Sequence, residues 1–257
     1  MKKLMVAAAA ALTATIGFSV ESSNIVGYQT QSTASTGFAM KAASFATVGA
    51  ADGSATLADI KITGYDPYDE EEDEGGTSGQ FMIQFLNASG KMTATYQWFD
   101  DDSITGWVTS GSIVDASTVK LPAAGAVWTK GAGLSITSSG AVPDADIVKT
   151  FAASGFDAVG NTTPVDITLA DLAVTGYDPY DEEEDEGGTS GQFMIQFLNA
   201  QGKMTATYQW FDDDSIKGWV SGGSVIDATK VTIPAGTGVW VKGAGLTLTI
   251  PSPLPAE

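Results

Sequence analysis

Residues 80–99 read QFMIQFLNASGKMTATYQWF, and residues 192–211 repeat them with one change, Ser89 to Gln201. On both sides of Asn87-Ala88-Ser89-Gly90, apolar and polar side chains alternate with the period of two that a half-buried strand requires. The four residues between supply a turn, with Gly90 suited to positive φ. If Leu86 faces Lys91, then Phe85 meets Met92, Ile83 meets Ala94 and Phe81 meets Tyr96 on one face. The other face pairs Gln84 with Thr93, Met82 with Thr95 and Gln80 with Gln97. A slip of one residue would mix the two sets, so the pattern predicts a defined antiparallel hairpin in each copy.

The identity extends outward. Thr63–Ile104 and Thr175–Ile216 are one sentence written twice, and the spacing of 112 residues persists to Leu134 and Leu246. The chain is thus two copies of a unit of about 110 residues, a size sufficient for its own core. Thr, Ser, Val, Ile and aromatic residues dominate, and turn signals recur about every 10 residues. The fold class expected is all-β, with two tandem sandwich-like or barrel-like repeats. Further strands are predicted at Ser112–Val114, Val119–Leu121, Ala126–Lys130 and Leu134–Thr137. Their counterparts are Ser224–Ile226, Val231–Ile233, Gly238–Lys242 and Leu246–Ile250. Pro122-Ala-Ala-Gly and Pro234-Ala-Gly-Thr read as turns. The Ala-rich stretch Phe38–Phe45 reads as a short helical turn. Phe45-Ala-Thr-Val-Gly matches Phe156-Asp-Ala-Val-Gly at a spacing of 111. Ser138–Asp144 is expected to link the units, which divides the chain into residues 23–139, 140–251 and a disordered tail at 252–257.

Residues 1–22 carry Lys2, Lys3 and an apolar run from Met5 to Val20, the pattern of a secretory signal peptide cleaved near Ser22. Export is expected, to the cell surface, the periplasm or the medium, and no transmembrane segment is expected in the mature chain. Cysteine, histidine and arginine are absent. That removes thiol nucleophiles, His-based triads and His or Cys metal sites. A formal charge of −19 makes nucleic acid a poor partner. The charge is local. Residues 23–257 hold 30 acids against 10 lysines, and 20 of those acids fall in four runs.

The segment Ser23-Asn24-Ile25-Val26-Gly27-Tyr28, with the turn Leu121-Pro-Ala-Ala-Gly and the strand Val127-Trp128, resembles secreted, uncharacterised bacterial β-rich proteins. Their mature chains open Asn-Ile-Val-Gly-Tyr. The resemblance implies export and no particular activity.

The four acidic runs are Asp66–Glu74, Asp100–Asp102, Asp178–Glu186 and Asp212–Asp214. The first ends just before the hairpin begins, and the second follows just after it ends. An antiparallel hairpin therefore brings Asp66, Asp69, Glu70, Glu72, Asp73 and Glu74 to the same end as Asp100, Asp101 and Asp102. In the second copy it does so for Asp178, Asp181, Glu182, Glu184, Asp185 and Glu186 with Asp212, Asp213 and Asp214. Two unit charges 6 Å apart repel by roughly 0.7 kcal/mol in water and roughly 3 kcal/mol at an effective dielectric of 20. Calcium, which takes 6–8 oxygen ligands in flexible geometry, is the cofactor this chemistry suggests. A solvated loop that keeps sheet edges apart is the alternative. Tyr65, Tyr68 and Trp107, with Tyr177, Tyr180 and Trp219, flank the acids and suggest a tandem carbohydrate-binding module. A carboxylate-based glycosidase needs two separately tuned acids beside a cleft, and a dense surface run is poorly suited to that. The leading expectation is a non-enzymatic surface or matrix protein, an adhesion or structural component. It would present two acidic loops to a surface polysaccharide or a neighbouring protein.

Overall fold

The computed structural model describes residues 25–33, 36–64, 78–87, 91–101, 103–131, 133–176, 190–199, 202–213 and 215–254. The expected signal segment and the whole of both long acidic runs lie outside these residues. The protein is all-β. Repeat 1 supplies strands β1 (Val26–Ser32), β2 (Phe38–Lys41), β3 (Ala55–Thr56), β4 (Ile60–Thr63), β5 (Met82–Leu86), β6 (Met92–Asp100), β7 (Thr105–Thr109), β8 (Ser112–Ile113), β9 (Lys120–Leu121), β10 (Val127–Lys130) and β11 (Ser135–Ala141). Repeat 2 supplies β12 (Ile147–Thr150), β13 (Asp157–Gly160), β14 (Ile167–Thr168), β15 (Ala173–Thr175), β16 (Met194–Leu198), β17 (Met204–Asp212), β18 (Lys217–Ser221), β19 (Ser224–Val225), β20 (Thr232–Ile233), β21 (Gly238–Lys242) and β22 (Thr247–Ile250). Among the described residues, the helical pieces are single 3₁₀ turns of three residues.

In repeat 1 a six-stranded antiparallel sheet runs β2-β10-β5-β6-β7-β8, and a three-stranded sheet runs β1-β11-β4. Their inner faces share one core. Phe81, Ile83, Trp107 and Val127 come from the larger sheet, and Ile62 and Ile136 from the smaller. Leu57, on a 3₁₀ turn, and Leu121, on β9, close one end. Each such side chain contributes about 1.5–3 kcal/mol by leaving water. Repeat 2 has the same two sheets, with Phe193, Ile195, Trp219, Val239, Val174 and Leu248 in the matching places.

The hairpin forms with the faces read from the sequence, but in a different register. Ile83 lies opposite Tyr96, and Phe85 opposite Ala94. Two one-residue shifts account for this. The turn closes on Asn87, whose amide bonds the Lys91 carbonyl at 2.9 Å, and not on Leu86. A bulge then follows between Phe85 and Leu86. Together the shifts move the pairing by two residues, which restores the faces beyond the bulge. Only one shift applies at Met92, so it sits opposite Leu86 and is 57% exposed rather than packed on the core side.

Phe38–Lys41 is strand β2, paired with β10, and not a helical turn. Hydrogen bonding along a neighbouring strand outweighs the weak preference of its alanines. Phe38 packs edge-on to Trp128 at 6.3 Å, and Phe156 does the same to Trp240 at 6.5 Å. Phe156 therefore corresponds to Phe38, 118 residues away, and not to Phe45. Repeat 1 is six residues longer between Ala42 and Ala55, since the spacing falls back to 112 beyond them. The link between repeats is shorter than Ser138–Asp144, because β11 runs to Ala141. In the tail, the Ser252 amide bonds Asp146 Oδ1 at 2.8 Å, so residues 252–254 are placed against the link. Both proline turns form, with Gly125 N to Pro122 O at 2.8 Å and Thr237 N to Pro234 O at 3.1 Å.

The repeats meet across a local two-fold. Isolated bridges join Lys41 to Thr237 and Gly125 to Val159. The Ala42 amide donates to the Gly236 carbonyl at 2.9 Å, and the Gly160 amide to the Ala124 carbonyl at 3.1 Å. Each contact is the image of the other under the structural equivalence of the repeats. This is the self-complementary geometry of an isologous dimer, built within one chain.

Candidate functional site

The site is built at the end of each hairpin remote from its turn. Gly79 has φ +73 and donates its amide to the Trp98 carbonyl at 2.7 Å. A Cβ at Gly79 would lie 2.8 Å from the Phe99 ring, so glycine is required on both counts. Gln97 Nε2 donates to the Gly79 carbonyl at 3.0 Å. The adjacent Ser78 is the clamp. Its hydroxyl accepts from the Asp100 amide at 3.1 Å and donates to Asp101 Oδ2 at 2.9 Å. Asp101 Oδ1 accepts from the Ser103 amide at 3.0 Å, the Ser103 hydroxyl at 2.7 Å and the Ile104 amide at 2.8 Å.

Repeat 2 reproduces the clamp. Ser190 donates to Asp213 Oδ2 at 2.8 Å and accepts from the Asp212 amide at 3.2 Å. Asp213 Oδ1 accepts from Ser215 and from the Ile216 amide, the latter at 2.7 Å. The bonds from Ser103 and Ile104 hold the Asp101 carboxyl down from 3.8 to about 2, and those from Ser215, Ser190 and Ile216 do the same for Asp213. One chemical difference breaks the equivalence. Lys217 pairs with Asp212 at 2.9 Å, whereas Thr105 donates its hydroxyl to Asp100 at 3.2 Å.

Of the predicted acidic residues, Asp100, Asp101, Asp212 and Asp213 are described, and each pair lies beside a serine that follows a long acidic run by four residues in sequence. Asp66, Asp69, Glu70, Glu72, Asp73, Glu74 and Asp102 lie outside the described residues, as do Asp178, Asp181, Glu182, Glu184, Asp185, Glu186 and Asp214. Among the described residues, no group of three or more acidic side chains is arranged to hold a metal ion. Asp101 and Asp213 are committed to holding their turns.

The aromatic expectation is corrected for Trp107 and Trp219. Each is 2% exposed and packs edge-on against a core phenylalanine and a second tryptophan. Trp219 Nε1 donates to the Leu169 carbonyl at 2.9 Å. Strand alternation places both rings on the inner face, where no sugar can stack on them. Tyr65, Tyr68, Tyr177 and Tyr180 lie outside the described residues. The half-buried Trp98 and Trp210 leave their indole N–H buried without an acceptor, in both repeats alike.

Sequence reasoning missed Ser78 and Ser190. The available signal was Asp101-x-Ser103, the spacing of an Asx turn, which needs a further donor for the second carboxylate oxygen. No family model matches the chain, and neither a curated protein nor a solved structure is found to be similar to it.

Proposed function

We propose that this is a non-enzymatic, exported protein of the cell surface or matrix, with two acidic segments as its working parts and calcium as their ligand. The observation that carries this reading is the serine clamp. Ser78 and Ser190 tie the root of each long acidic run to Asp100–Asp101 and Asp212–Asp213. This supports carboxylates from two parts of the sequence acting together at one end of each sandwich. Asp100 and Asp212 lie outside the carboxylate bonds of the clamp, Asp212 with Lys217 beside it, while Asp101 and Asp213 hold the frame. The four expected aromatics outside the described residues keep a polysaccharide as a partner for the same ends, whereas Trp107 and Trp219 no longer support it. The bonds to Asp101 and Asp213 argue against either acid as a glycosidase proton donor, since they favour the ionised form.

Affinity should be that of an extracellular module, on the order of 10⁻⁴–10⁻³ M. The test is a calorimetric calcium titration of the purified mature protein against a matched magnesium titration. Saturable calcium binding at two sites per chain supports the reading. Heats no larger than those of dilution, or equal for the two ions, would leave the segments as solvated charge.

A further inference from the structure

The local two-fold brings equivalent positions of the two repeats face to face. Position 42 of repeat 1 meets position 160 of repeat 2, and position 126 meets position 238. At both, repeat 1 has alanine and repeat 2 has glycine. Neither Gly160 nor Gly238 has the positive φ that would call for glycine. What forbids a side chain is the other repeat. A Cβ at Gly160 would lie 2.2 Å from the Ala42 Cβ, and a Cβ at Gly238 would lie 2.5 Å from the Ala126 Cβ and 2.5 Å from Met40 Cγ.

We propose that these pairs form a steric code that makes the junction heterotypic: the repeat 1 surface accepts a repeat 2 surface and rejects a second repeat 1. The backbone hydrogen bonds cannot supply this selectivity, because they are the same in both directions of the two-fold. A like-with-like pairing of two repeat 1 surfaces would set Ala42 against Ala42 and Ala126 against Ala126, at separations methyl groups cannot adopt. Two repeat 2 surfaces would meet glycine to glycine, with lost contacts but no clash. The partner is therefore repeat 2 of the same chain or, if the junction opens, repeat 2 of a second copy. Exchange between copies would run head to tail and not as closed dimers of repeat 1.

The test uses the full chain and reciprocal substitutions. Gly160→Ala with Gly238→Ala puts alanine against alanine, and the melting midpoint should fall by roughly 10 °C. Ala42→Gly with Ala126→Gly puts glycine against glycine and should lower the midpoint by less than half as much. The fourfold exchange, alanine moved from repeat 1 to repeat 2, should recover part of the first loss, since the Met40 side chain and the Gly125 carbonyl still stand close to the new methyl groups. Recovery is the decisive readout, because four independent effects would add. Protection of the Ala42 and Gly160 amides from hydrogen exchange should follow the same order. A fourfold variant no more stable than the Gly160→Ala, Gly238→Ala double would overturn the proposal. So would a double variant that melts with the parent.

Discussion

The two repeats share their hairpins almost letter for letter, yet differ where they face each other and at the rims of their acidic ends. Sheets, cores and serine clamps are the same in both. Between the second strand and the first 3₁₀ turn, repeat 1 uses residues 43–54 and buries Phe45. Repeat 2 spans the gap with residues 161–166 and a buried polar knot. There Asn161 Nδ2 donates to the carbonyls of Val165 and Ile233 at 2.8 and 3.0 Å, and its Oδ1 accepts from Thr163 N and Oγ1 at 3.1 and 2.7 Å. The contrast teaches that a duplicated sheet can be kept intact while the surface that joins the copies diverges. A self-complementary contact becomes directional once one copy carries the methyl groups and the other the space for them.

The comparison breaks first if equivalent core positions behave differently. Ile83→Asp and Ile195→Asp each bury an unpaired charge and remove core volume, so each should cost about 4 kcal/mol or more. Urea unfolding should show the two losses within about 0.5 kcal/mol of each other. Thr93→Lys, on an exposed position of the opposite face, should change stability by less than about 0.5 kcal/mol. The reverse ranking would invert the faces of the hairpin.

A smaller effect should belong to repeat 2 alone. Asn161→Ala strands two carbonyls and the Thr163 donors in a buried site and should cost about 2–3 kcal/mol. A loss below about 0.5 kcal/mol would show that the knot does not replace the longer segment.

Acid should test what the repeats share. The Asp101 and Asp213 carboxyls are held at about 2 in the folded chain, against 3.8 ordinarily. Their contribution is complete above the ordinary value and is lost as pH falls towards the folded one. The parent should therefore lose stability between about pH 4 and pH 2, and the Asp101→Asn, Asp213→Asn variant should lose less over that window. Parallel acid-unfolding curves would mean the clamps hold nothing that depends on ionisation.

The smallest effect should lie at the rim. Lys217→Thr removes the ammonium beside Asp212, and Thr105→Lys places one beside Asp100. The first should strengthen calcium binding at repeat 2 and the second should weaken it at repeat 1, each by a factor of about 2–5. Calorimetric titration of both variants checks this. Shifts in the same direction would mean that the lysine acts elsewhere.

The hairpin and its faces were legible because alternation of apolar and polar side chains depends only on local pleat geometry. The register was not, because a turn beginning at Asn87 and a bulge after Phe85 each add a shift that no periodicity records. Phe38–Lys41 read as helical because its alanines carry no sign of the partner strand β10. Phe156 was aligned with Phe45 on a shared Phe-x-x-Val-Gly spacing, whereas ring packing on Trp128 and Trp240 is what makes Phe38 its equivalent. Trp107 and Trp219 read as ligand platforms because their nearness to acids in sequence does not reveal which face of the strand they occupy. The approach of Ser78 to Asp100 and Asp101 follows from the hairpin alone, whereas the acids of Asp66–Glu74 and Asp178–Glu186 lie outside the described residues.

The most direct test of the acidic ends is a pair of melting curves. The parent is compared with a variant in which the acids of Asp66–Glu74 and Asp178–Glu186 are replaced by their amides. Both are measured in millimolar calcium and in sodium chloride of equal ionic strength. Calcium should raise the parent's midpoint above the sodium chloride value and leave the amide variant unmoved. Equal midpoints for the parent in the two salts would contradict this.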